Sequence, residues 1–479
     1  MAFIDLHQHP SLKPMGKSFD YSPPGVNSPS RRQKNSIWNY DPPTPADKLF
    51  NIISTLTKFR QADMSTLSYG GASVVFVSLY PLEKGFVLGK PGTGLAGDLL
   101  KDLIMGLGRN RINHLQNMPD YFTDLEMAYN YYRQLDGKIM SIEGEKCRYK
   151  IVSSFGEIDL NVKDGIKTIN VILTIEGAAV FNSGLQLMGK SLDKNEFLEN
   201  LDKVKNWDHR LFFIGLAHHF YNELCGHARS LHGIAEWASN QEEGLGTGFT
   251  PFGIEVLHKL LDNTEGKRVL IDIKHLSVNS RKEYYEILKN EYSSENIPII
   301  VSHGAVNGLR SADEKVADNQ HTAGKLQLDD INIFDDEIVR IAKSGGLLGI
   351  QLDERRVCSH AELKKAGIRL STRNMLFYRS RLLWNQIQHI AETLDREGLF
   401  AWGIQAVGSD FDGLINPLNG FWTAEQMPLL DSYLEKHAYN YLNSPLAEKL
   451  NYFNRIKPDE IMERFMFENA YEFLRLNFW

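Results

Sequence analysis

The chain has 479 residues, 42% of them hydrophobic and 24% charged, with a net charge of −7. This is the balance of a globular protein with a sizeable core, and its acidity argues against nucleic acid or an anionic membrane as the main partner. Cys147, Cys225 and Cys358 are odd in number and widely spaced, so a reduced state is expected, and no apolar run is long enough to cross a membrane. A cytoplasmic location is the expectation, although a chain whose signal peptide had been removed would read the same way.

In chain order, short apolar runs rich in β-branched residues recur at 2–7 (AFIDLH), 72–80 (ASVVFVSLY), 169–177 (INVILTIEG) and 211–218 (LFFIGLAH). Four more follow at 268–275 (RVLIDIKH), 297–303 (IPIIVSH), 345–352 (GGLLGIQL) and 402–410 (WGIQAVGSD). Such continuous runs suit parallel strands buried on both faces. Amphipathic stretches such as 279–292 and 379–398 separate them. Eight strands alternating with helices predict an α/β fold, a (β/α)8 TIM barrel, as one domain over 1–479. Two connections are long. Residues 11–47, rich in Pro, Ser and Asn, read either as a loose surface loop or as a lid over the barrel mouth. Residues 81–168 read as a mostly helical insertion with a short hairpin around CRYKIVSSFGEID, and about 415–479 as helices outside the barrel.

Polar residues at the strand ends carry the chemistry. His7 and His9 end strand 1, Glu176 strand 3, His218 and His219 follow strand 4, and His275, His303 and Asp410 end strands 5, 6 and 8. A barrel brings the C-terminal ends of its strands to one mouth. The period of two sends His7 and His9 to the same side and Gln8 to the other. Imidazoles with one carboxylate suit a first-row divalent ion such as Zn²⁺, not a hard oxygen cage for Ca²⁺. Four histidines and a glutamate exceed one tetrahedral site that keeps an open position, and match two divalent ions sharing a carboxylate and a water. Asp410 is then the base that orients the water and passes on its proton. Two alternatives stay open: Glu143, in SIEGEK, for Glu176, and Asp412 for Asp410.

Taken together, the segments YGGASVVFVSLY, IEGA, GLGTGFTPFGIEVLHKLL, LIDIKHLS, PIIVSHGAV, GSDFDG and ENAYEFLR resemble, in order, the renal (membrane) dipeptidase family of zinc metallopeptidases, within the amidohydrolase superfamily. The resemblance implies His7 and His9 on one metal, Glu176 bridging, and His275 and His303 on the second. It implies Asp410 as the catalytic acid/base and His218, or failing it His219, as the catalytic histidine that contacts the substrate near the oxyanion. Departures are equally specific. The family has His-x-Asp where this chain has His7-Gln8-His9. The family's carboxylate-gripping arginine corresponds only loosely to Arg310, the candidate substrate-binding cation. Lys274 stands where the family has a serine, and strand parity turns it away from the metals.

The expected activity is hydrolysis of a dipeptide or similar small amide by a hydroxide bridging two divalent metals, with Zn²⁺ first among them. The alternatives are a hydrolase of the same scaffold acting on an N-acyl amino acid, lactone, cyclic amide or phosphoester, and a non-catalytic metal-binding barrel. A small-molecule or dipeptide substrate is the expected partner, with no nucleic acid and no membrane. Association into a homodimer, the commonest oligomer, is left open.

Overall fold

The computed structural model describes residues 2–160, 165–264, 266–367 and 371–479. Eight parallel strands close into a barrel: β1 (Phe3–Gln8), β2 (Ala72–Leu79), β3 (Ile166–Glu176), β4 (Leu211–Gly215), β5 (Leu270–Asp272), β6 (Ile300–Gly304), β7 (Leu347–Ile350) and β8 (Gln405–Val407). Each pairs with the next, β2 joins β3 directly across the long insertion, and Asp5↔Val407 closes β1 onto β8. All eight predicted strands are present, with helices between them. Several strands are shorter at their C-terminal ends than their apolar runs, and this places the site residues partly in turns.

The insertion after β2 is helical over Lys84–Leu88, Leu95–Met105, Arg109–Asn117 and Phe122–Arg133. Val87, Met105, Ile112, Leu115 and Tyr121 form a second small core there, which makes this wall a packed body of its own. The hairpin consists of Met140–Ile142 and Glu145–Ile151, and its second strand extends the sheet in parallel along the first half of β3. The residues after Lys17 are largely irregular but not loose. Trp38 and Ile37 are fully buried, and the Arg60 guanidinium donates to the carbonyls of Ser36 and Asn39. The stretch 11–47 is thus a brace on the barrel's flank, and among the described residues only its Leu12 reaches the cavity discussed below.

At the C-terminal end, helix Asn469–Asn477 packs on the barrel, where the Asn469 amide donates to the carbonyls of Trp402 and Gln405. No helix among the described residues is long and apolar enough to cross a membrane, and the three cysteines are buried and unpaired.

Below the site, three backbones meet with no room for side chains. A Cβ at Gly349 of β7 would lie 2.0 Å from the Ser302 carbonyl oxygen, and one at Gly408 2.1 Å from the same atom. The overpacking expected of Gly408→Ala destabilises the fold by about 1–3 kcal/mol. Urea denaturation should show this.

Candidate metal centre

The geometry is organised around one carboxylate. Glu176, the last residue of β3, presents Oε2 to His9 Nε2 at 3.2 Å and to His7 Nε2 at 3.5 Å. Its Oε1 faces His275, His303 and His218 Nε2 at 3.3, 3.4 and 3.4 Å. Asp410 Oδ1 closes the first group, 3.6 Å from His9 Nε2 and 3.9 Å from His7 Nε2. All of these residues are buried. The sequence-assigned donors therefore converge as two sets divided by the two oxygens of Glu176. His7, His9 and Asp410 make up one, and Glu176, His275 and His303 the other; two overlapping groups, His7 with Asp272 and His303, and His218 with His219 and His275, are equally close-set among the described residues.

The two open alternatives resolve on geometry. Glu143 is exposed at the hairpin turn with φ of +51°, away from the barrel interior. Asp412 is buried but engaged elsewhere: it accepts from the backbone N–H groups of Gln61 and Ala62 and pairs with Lys13 Nζ at 2.9 Å. Asp410 is held in the left-handed region at φ +59°, an unfavourable conformation of the kind concentrated at functional sites. Its Oδ2 accepts from Gln351 Nε2 at 2.6 Å. A Cβ at Gly413 would fall 1.9 Å from Asp410 Oδ1 and so displace that carboxylate.

The surrounding hydrogen bonds turn the imidazoles into ligands. His9 Nδ1 lies 3.0 Å from the Ser78 carbonyl, which can only accept, so Nδ1 carries the proton. Ser302 Oγ donates to Asp272 Oδ2 and lies 3.1 Å from His7 Nδ1 and 2.9 Å from His303 Nδ1. A hydroxyl has one proton and two lone pairs. With the proton given to Asp272, Ser302 accepts from both histidines, and His7 and His303 point bare Nε2 lone pairs inward. Lone pairs of His7 and His9 then face each other at 3.1 Å and face two carboxylates. Such a cluster of acceptors needs positive charge between its members, as protons or cations. Burial pulls His9 down, but hydrogen bonding to Asp410 and Glu176 and their charge raise it to about 10. Burial pushes Glu176 up, yet His218 and His7 outweigh it and hold it well below the usual range, while burial keeps His275 and His303 well below theirs. Neutral imidazoles and an ionised carboxylate are the ligating forms. The donor set fits two first-row divalent cations.

No family profile matches the sequence, and no curated protein does. Among solved structures the chain is similar to a metallopeptidase from Rhodobacter sphaeroides liganded with a phosphinate mimic of the dipeptide L-Ala-D-Ala. The identity is 15% over 100% of this chain and 99% of that one, with a TM-score of 0.48. It is also similar to a dipeptidase described as a metallopeptidase (14%, 100% and 99%, 0.49) and to a probable dipeptidase from Pseudomonas aeruginosa (13%, 87% and 88%, 0.47). At this level of likeness the weight falls on the residues themselves.

His218 is tied down by a group the sequence did not single out. Its Nδ1 lies 2.7 Å from Glu83 Oε2, and Glu83 also accepts from the Phe220 N–H. Burial pulls His218 down, but the charges of Glu176 and Glu83 raise it overall. His219 instead has Nδ1 2.6 Å from Ser230 Oγ, further out along the cavity wall.

The cavity above the centre has a volume of about 160 Å³. Its apolar wall includes Phe86, Leu100, Ile104, Met105, Leu231 and Trp237, with Lys90 and Lys101 among them in sequence, and its polar lining also includes Gln351, Arg355, Arg356 and Lys274. Arg310 is not there, which corrects its assignment to substrate binding. Half exposed, it is neutralised on a surface loop by Glu314 and Asp318, at 2.6 Å each. Lys274 is corrected in the opposite sense, from structural to cavity-lining. β5 stops at Asp272, whose Oδ1 accepts from the Lys274 N–H at 3.0 Å, and His275 turns to φ +67°. The strand alternation that would send Lys274 away has ended two residues earlier. Burial, reinforced by Arg356, pulls its ammonium down to about 7.

Ser302→Ala removes the acceptor that fixes two ligands. The expected result is a 10- to 100-fold loss of divalent-metal affinity, read by competition with a chromophoric chelator, with the fold retained.

Proposed function

We propose that this chain is a metal-dependent hydrolase of the renal dipeptidase type, cleaving a dipeptide or similar small amide. The observation that carries the reading is the single carboxylate, Glu176, whose two oxygens each face their own set of imidazole Nε2 atoms at 3.2–3.5 Å. His7, His9 and Glu176 would hold one divalent ion and Glu176, His275 and His303 a second, with Zn²⁺ the best match to nitrogen and carboxylate donors. Bound there, such ions supply Lewis acidity that activates water and polarises a carbonyl.

The chain's own residues do the rest. Asp410 has Oδ2 fixed by Gln351 and Oδ1 left facing the centre, so Oδ1 takes the proton from the attacking water and returns it to the departing amine. His218, anchored by Glu83 through Nδ1, offers Nε2–H to the oxygen on which charge develops. The apolar wall excludes water and accepts an apolar substituent on the amide. That wall also favours a second reading, an N-acyl amino acid with an apolar acyl group as substrate.

The test is hydrolysis of matched panels of dipeptides and N-acyl amino acids by metal-loaded and chelated protein. Activity should depend on metal, and the panel that is turned over selects between the two readings. Equal turnover by chelated protein would overturn both. Asp410→Asn should lower kcat by about 10²–10⁴ while metal content, measured by elemental analysis, is unchanged.

A further inference from the structure

Five lysines and arginines line the cavity, and they differ in what they already bind. Lys90 is exposed, with Nζ 5.9 Å from the Trp237 ring, and Lys101 donates to the Gly92 carbonyl. Arg355 directs Nε and Nη2 onto the carboxylate of Asp353 at 2.6–3.2 Å. Arg356 is spent on Asp329 Oδ2 and the Ser230 carbonyl, at 3.0 and 2.9 Å. Lys274 is 3% exposed, and its Nζ has no hydrogen-bond partner among the described residues. A buried ammonium without an acceptor is costly, and a neutral acceptor offsets that cost less well than an anion does. Asp272, the nearest carboxylate along the chain, is already engaged by Ser302 and by the Lys274 N–H.

We infer that Lys274 is the specificity residue for a carboxylate on the substrate, the role that Arg310 does not fill. This rests on the hydrolase reading above and names its substrate class: short molecules with a free carboxylate. Lys274 lines the same cavity as Glu176, His275, His303 and Asp410, so the anion it reads lies in the chamber of the reacting centre. That placement suits the α-carboxylate of the residue whose amine is released, and a longer chain continuing past that residue would bring no carboxylate to the lysine.

The experiment compares a dipeptide with its C-terminal carboxamide, using the wild type and the variants Lys274→Met, Lys274→Arg and Arg310→Ala, all metal-loaded and with metal content measured. Wild type should prefer the acid. Lys274→Met should lose about 10- to 100-fold in kcat/KM on the acid and little on the amide, as expected for one charged hydrogen bond. Lys274→Arg should restore part of the preference, and Arg310→Ala should leave it intact. Calorimetry with a reduced-bond dipeptide and its carboxamide gives a readout independent of turnover, in which acid affinity should fall in Lys274→Met alone. Equal losses on acid and amide, loss of metal in Lys274→Met, or equal wild-type affinity for the two reduced-bond compounds would each overturn the assignment. Binding that depends on Lys274 and on the carboxylate, without turnover of any amide, would sustain the lysine's role and remove the hydrolase reading.

Discussion

Lone pairs that converge in a protein interior repel one another unless positive charge lies between them, and the mouth of this barrel is built as such a convergence. Glu176 is its pivot. Each of its oxygens faces a separate group of imidazole nitrogens, and the network behind His7, His9 and His303 leaves their Nε2 atoms bare. A structural cluster of buried histidines would alternate donors with acceptors and be satisfied internally. Here the donors are directed outward, to Ser78 and Ser302, and the acceptors inward. That polarity distinguishes a cation site from a hydrogen-bonded core.

The barrel makes this arrangement affordable in packing as well as in charge. Ser302 sits on β6, and its hydroxyl reaches Asp272 on β5 and His7 on β1. Such a reach needs the interior at that level to be filled by backbone, which Gly349 and Gly408 permit. On the opposite side Asp5 of β1 plays the matching part, accepting from the N–H and hydroxyl of Ser409 and from the His7 N–H. Serine–aspartate pairs from neighbouring strands thus fix His7, His303 and the segment leading to Asp410. The fold's stability and the ligands' orientation depend on the same contacts.

Much of this was legible in the sequence. Eight buried-strand patterns and the recurrence of His, Glu and Asp at their ends were enough to pick out the seven residues His7, His9, Glu176, His218, His275, His303 and Asp410, which meet within one cluster. The parts that were missed have physical causes. Strand parity applies only while the strand lasts, so it failed for Lys274, which follows the last residue of β5 after an aspartate-capped turn. Arg310 lies on a loop where sequence distance from β6 says little about direction, and two nearby acids take its charge. Glu83 stands in the insertion beyond β2, and only the packing of that insertion brings it to His218. Gln351 is neutral, so a search for titratable groups passes over it, although it follows the apolar run of β7 directly.

The substitution of His9 for an aspartate acquires meaning beside Lys274. With an imidazole at position 9, Glu176 and Asp410 are, among the described residues, the carboxylates that face the His7 and His9 Nε2 atoms of a centre suited to two dications. Asp272 and Asp5, one layer back, are pushed up by burial, Asp5 to about 6, and so compensate the charge only partly. Lys274 lies buried and without a hydrogen-bond partner in the wall of the same cavity, where a bound anion favours its charged form. In a low-dielectric cavity such an imbalance favours anionic ligands far more than it would in water. His9 and Lys274, two positions at which the resemblance breaks, therefore act in one direction. Under the proposed function they bias the site towards a substrate that brings its own negative charge.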